Sequence, residues 1–144
     1  MCIRDSGETD NRTTLLAAIA ALPATGGTIF IPTGTFEFTG PLLVEIDYVT
    51  FRGEGKASIL ENIGTGGEDA VVFGNATGGA TRSDNCSIRN LTIKGNASSG
   101  NGISFTGSMN EFVNLFVHTH GGHGIYAKTS VSYTHLTLPT TPYV

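Results

Sequence analysis

The sequence predicts an all-β chain, a solenoid of short parallel strands preceded by one α-helix. Three observations predict it. Short apolar stretches with strand-like alternation run along nearly the whole chain, each punctuated by Gly or Asn. These stretches repeat: "IRNLTIKG" from Ile88 and "FVNLFVHT" from Phe112 share their Asn and apolar positions 24 apart (112 − 88 = 24), and "GNGISFTGS" from Gly100 and "GHGIYAKTS" from Gly122 correspond at 22 (122 − 100 = 22). Only one segment has clear helical spacing, and it comes before the first strand.

The helix is the first element. Leu15, Ala18, Ile19 and Leu22 fall on one face, Thr9 or Asp10 can cap its start, and Pro23 with Gly26-Gly27 ends it. A cap is therefore expected over about 10–22, and strand-bearing coils over about 28–129. "TIFIPTGTFEFTG" turns Ile29, Ile31, Phe36 and Phe38 inward with Glu37 outward; "VTFRGEG" turns Val49 and Phe51 inward, Thr50 and Arg52 outward. The latter aligns with "LTIKGNA" at 42 (91 − 49 = 42), read as two solenoid turns. "EDAVVFGN" aligns with the Gly-x-Gly-Ile segment at 32 (101 − 69 = 32), the longer step absorbed by a loop around Ala76 to Ser83.

In such a stack, equivalent residues superpose about 4.8 Å apart. Asn90 over Asn114 forms an amide ladder in a tight turn, because Asn tolerates left-handed backbone. Leu91 over Leu115 and Ile93 over Val117 build aliphatic core. The helix suits an open end of the stack, which would otherwise expose core and unpaired backbone. An antiparallel β-sandwich is the alternative, and it leaves the matched spacing of turn residues unexplained.

Composition narrows the function. The 144 residues suffice for one domain with a real core, and the net charge of −4 with sparse Lys and Arg argues against a nucleic-acid partner. The apolar stretches are far too short to span a bilayer, so no membrane partner is expected. Two cysteines establish no disulfide framework; Cys86 reads as a reduced structural thiol.

The residues most suggestive of chemistry are His118, His120 and His123 in "HTHGGHG". Imidazole is a common metal ligand. However, His118 and His120 share a face only if a strand continues through Thr119, and no acid is near in sequence. No metal site is therefore assigned. The offsets of 32 and 22 place Asp69, Asn101 and His123 (69 + 32 = 101; 101 + 22 = 123) on successive coils at one strand edge.

The stretch "TDNRTTLLAAIAAL…GGTIFIPTGTFEFTGPLLV…VTFRGEG" resembles the opening of pectate-lyase-superfamily proteins, over roughly Glu8 to Lys128, with "GGTIFIPTGTF" its most specific part. The resemblance implies a right-handed parallel β-helix with one N-terminal capping helix, here truncated. Relatives include polygalacturonases, rhamnogalacturonases, sugar epimerases and phage tailspikes. It therefore implies a polysaccharide partner, an extracellular or virion-associated location and, as in the phage relatives, a homotrimeric parent. "GGHGI" resembles the Gly-His-Gly of polygalacturonases, where the histidine borders the cleft. On that basis His123 and Asp69 are the candidate catalytic residues, and Asn101, His118 and His120 the candidate sugar-binding ones. The adjacent aspartates expected one coil earlier are replaced by Asn101 and Gly102, so one carboxyl of an inverting pair is missing. Ca²⁺ enters only if the parent is a lyase, for which Glu68-Asp69 is the lone adjacent acid pair within 7–129.

Both ends resemble translated sequencing adapter: "MCIRD" at the start and "VSYTHLTLPT" near the end. Residues 1–6 and 130–144 are accordingly expected to lie outside the fold, His135 to carry no role, and 7–129 to be the N-terminal part of a longer β-helix domain, unstable or aggregation-prone alone. The expected function is part of a polysaccharide-degrading or polysaccharide-modifying protein. The alternative is a non-catalytic structural or glycan-binding segment of a tailspike, fibre or adhesin.

Overall fold

The computed structural model describes residues 10–74 and 81–128, together with the backbone of 135–137. The helix α1 spans Arg12–Ala20 and buries Leu15, Ala18 and Ile19, with Leu22 partly buried against the same core. Its N-cap is Asn11, not Thr9 or Asp10, and Asn11 makes no side-chain cap bond. Instead the Asn11 backbone N–H and Nδ2 both donate to the Glu37 carbonyl, at 2.7 and 3.0 Å. Asp10 still serves the helix start, accepting from Arg12 N–H at 2.9 Å and Thr39 N–H at 3.2 Å. Thr9 lies outside the described residues.

Everything after α1 is strand and turn. A seven-stranded sheet contains β1 (Gly27–Ile31), β2 (Gly34–Phe38), β4 (Val49–Gly53), β5 (Ser58–Asn62), β7 (Ser87–Lys94), β9 (Glu111–His118) and β11 (His135–Thr137). A four-stranded sheet, in the order β10-β8-β6-β3, contains β3 (Leu42–Val44), β6 (Val71–Phe73), β8 (Ile103–Phe105) and β10 (Ile125–Ala127). Every strand pairing among the described residues is parallel, which removes the antiparallel sandwich. The chain passes alternately through the two sheets, and the larger one curls into a half-barrel.

The curl has a local cause. β7 pairs with β4 through Ser87–Arg89 and with β5 through Thr92–Lys94, so one strand joins both limbs of the sheet. Asn90 stands between the limbs at φ +55°, and Asn114 does the same in β9 at +50°. Asn114 Nδ2 donates to Asn90 Oδ1 at 3.2 Å, the amide ladder expected from the sequence. Asn adopts this conformation at less cost than most residues. A second left-handed column precedes the strands: Gly26 (+86°), Tyr48 (+59°), Asn85 (+57°) and Met109 (+56°) occupy one register position.

Packing follows the register. Ile29, Phe51, Ile88 and Phe112 form one buried column, Phe36, Leu60 and Ile93 a second, and Leu42, Val71 and Ile103 a third in the opposite sheet. The pairs Leu91↔Leu115 and Ile93↔Val117 appear as expected, as do Ile103↔Ile125 and Val71↔Ile103 at offsets of 22 and 32 (125 − 103; 103 − 71). The offset of 42 is wrong. Thr50 pairs with Ser87, so Val49 is level with Cys86, while Leu91 is level with Ser58 on the other limb. Both limbs alternate with period two, and a shared alternation does not reveal which limb a segment occupies.

α1 lies against strands that have no partner on that side, with Leu15, Ala18 and Ile19 in the common core. The tail segment set outside the fold by the sequence contributes β11, whose backbone pairs with Glu111–Val113. Among the described residues no helix is long and apolar enough to cross a membrane.

Candidate functional site

Asp69, Asn101 and His123 stand level with one another, each two residues before its strand in the four-stranded sheet. Hydrogen bonds join them along the stack. Asn101 N–H donates to Asp69 Oδ1 at 2.7 Å, and His123 N–H donates to Asn101 Oδ1 at 2.7 Å. Thus a side-chain oxygen of one residue satisfies the backbone donor of its counterpart in the next pass. The same device recurs elsewhere: Asp84 N–H donates to Asp47 Oδ1, and Ser108 N–H to Asp84 Oδ1.

Asp69 is the centre of this line. Its Oδ2 accepts from the buried Ser104 hydroxyl at 2.5 Å and lies 3.9 Å from Lys128 Nζ. Asn101 Nδ2 also faces Ser104, at 3.4 Å. Beside Asp69 the outer face of the sheet opens into a cleft of about 350 Å³, lined by Pro41, Leu43, Gly67, Asp69, Val72 and Lys128. At the far end of the line, the His123 and Tyr126 rings stack with centroids 5.4 Å apart and planes 10° apart. Both side chains belong to exposed residues.

The other histidines are separated from this line by their backbone. β9 ends at His118, and Thr119 is left-handed at φ +60°, so the strand does not carry His118 and His120 onto one face. His118 turns to Phe116, with ring centroids 4.9 Å apart, and its Nδ1 lies 2.7 Å from Thr119 Oγ1. His120 folds inward. Its Nε2 faces the Ile93 carbonyl at 3.3 Å, so that nitrogen is the donor, and its Nδ1 lies 3.4 Å from Ser99 Oγ. A Cβ at Gly95 would collide with the ring. Burial lowers the His120 pKa, with a contribution from nearby His118; the Ile93 carbonyl and Asp69 act the other way.

The chemical capacity of the site follows from these contacts. Asp69 is surrounded by partners, and neither counterpart above it, Asn101 or His123, is a carboxylate. Among the described residues no three His, Cys, Asp or Glu side chains gather as a metal set. Glu68 is occupied locally, its Oε2 accepting from Gly66 N–H at 2.9 Å. Cys86 is fully buried, and burial raises its thiol pKa to about 11. Sequence reasoning missed Ser104, Tyr126 and Lys128. Their register offsets from Asp69's strand were available in the "GISF" and "GIYAK" repeats.

Comparison with protein-family models, curated proteins and solved structures gives no match. Function therefore rests on the site itself.

Proposed function

We propose that this chain is part of a right-handed parallel β-helix of the pectate-lyase-superfamily type, and that it presents a polysaccharide-binding face. The solenoid reading is supported by uniformly parallel pairing, the 22- to 24-residue offsets between β8 and β10 and between β7 and β9, and the two bent strands. Its hand follows from the strong preference of parallel crossovers for the right-handed connection. The helix on the first strands fits an end cover.

The observation that carries the functional reading is the outer face of the four-stranded sheet. There the cleft beside Asp69 and Lys128 lies on the same face as the exposed His123–Tyr126 stack. A sugar offers hydroxyls to the polar groups and an apolar C–H face to a ring, and Tyr suits such a half-wet contact. Binding is favoured over cleavage within this segment. Glycoside hydrolysis by the two-carboxyl route requires a second carboxyl about 5–9.5 Å from the first, and the counterparts above Asp69 do not supply it. Degradation or modification of the polymer by a longer parent needs acids from elsewhere.

Affinity electrophoresis of the full chain against a panel of neutral and acidic polysaccharides tests this reading. Retardation by at least one polymer is expected, weakened about tenfold by Tyr126→Ala, equivalent to ~1.4 kcal/mol. Folded protein that none of the panel retards overturns it, as does retardation unchanged in Tyr126→Ala.

A further inference from the structure

On its outer face, the limb of the seven-stranded sheet made by β1, β4 and the first halves of β7 and β9 carries two arginines, Arg52 and Arg89, and one acid, Glu111. In one outward column Thr28, Thr50, Ser87 and Glu111 are level with one another; in the next column the sequence is Phe30, Arg52, Arg89 and Val113. Two guanidinium-bearing residues therefore stand on adjacent strands, about 4.8 Å apart along the stack. Arg89 is neutralised by Glu111, which lies one strand further along and two residues back from the register partner of Arg89. The corresponding place beside Arg52 is held by Ser87, whose hydroxyl lies 2.9 Å from Thr50 Oγ1. Arg52 is exposed and makes no ion pair among the described residues.

We infer that Arg52, with the Thr50 hydroxyl beside it, forms an oxyanion-binding site. A carboxylate, sulfate or phosphate group sits beside Arg52 where the Glu111 carboxylate sits beside Arg89. The planar guanidinium offers paired donors to two oxygens of such a group. The half-buried Thr50 hydroxyl can turn its donor toward the anion while the buried Ser87 hydroxyl donates to Thr50 Oγ1. This site is on the other sheet from the Asp69 cleft, so it stands or falls independently of the polysaccharide reading.

The test is a titration of the full chain with sodium sulfate, and separately with glucose 6-sulfate, at ionic strength held constant with chloride, observing arginine Nε–H resonances by NMR. A saturating shift of the Arg52 resonance is expected, and Arg52→Gln abolishes the saturable response. Glu111→Gln, which releases Arg89, extends the saturating shift to the Arg89 resonance. Saturation by sulfate alone assigns the site to a free anion; saturation at lower concentration by the sugar sulfate assigns it to an oxyanion carried on a sugar. A linear shift with both probes, or an unchanged saturable response in Arg52→Gln, overturns the proposal.

Discussion

Met109 holds a left-handed backbone that its side chain does not favour. It is 52 % exposed, so packing does not compensate. Gly26 and Asn85, at the same register position, are residue types that accept this conformation. Met109→Asn should therefore raise stability by up to about 1 kcal/mol, measured as a higher urea midpoint at unchanged slope. His120 makes the opposite kind of statement. Its folded pKa is lowered, first by burial, so the folded state binds fewer protons than the unfolded one near the ordinary value of 6.5. The stabilisation is complete above that value and declines as pH falls from about 6.5 through the lowered folded pKa. Urea midpoints should drop across that interval in the parent chain, and the drop should shrink in His120→Gln.

At the scale of elements, the strand edge before β6, β8 and β10 is built from side chains that replace backbone partners. Asp69 alone satisfies Asn101 N–H and the Ser104 hydroxyl. Asp69→Ala leaves both without that acceptor in a largely buried place and should cost roughly 2–4 kcal/mol. Asp69→Asn keeps one acceptor oxygen and should cost less than half as much. Chemical denaturation of the two variants separates this role from a purely chemical one, in which neither midpoint would move. The alignment of Asp69, Asn101 and His123 was legible in the sequence because the Gly-x-Gly-Ile repeat preserves its spacing to the strand. The occupied state of Asp69 was not, since it depends on Ser104 and Lys128, which come from two further passes of the chain. The inward turn of His120 was not legible for a related reason: it depends on the left-handed backbone of Thr119.

Across the whole molecule, the inward and outward residues of the first strands, the Asn90–Asn114 ladder and the helix at the first strands could all be read from local pattern. Alternation and turn residues are local properties, and the structure uses them locally. The partition of the larger sheet into two limbs could not be read this way. "VTFRG" and "LTIKG" present the same alternation, yet β4 and the second half of β7 lie on different limbs. The short corner of Pro32-Thr33, the longer one of Glu54–Ala57 and the single Asn90 all make the same bend. Because the bend uses different lengths, sequence spacing drifts while the register does not.

The parallel register also determines how the molecule yields to force. Each strand pairs chiefly with its counterparts in neighbouring passes, so tension between the ends loads the sheets one edge at a time rather than all at once. Between β7 and β9 one pass releases 24 residues (111 − 87), or roughly 80 Å of contour at about 3.3–3.6 Å per residue. The pass between β1 and β4 is 22 residues (50 − 28) and that between β4 and β7 is 37 (87 − 50), so in optical tweezers the chain should lengthen in an uneven staircase with increments of roughly 70–130 Å. A single rip spanning the whole fold would mean that the core columns, running through all the passes, bind them into one mechanical unit.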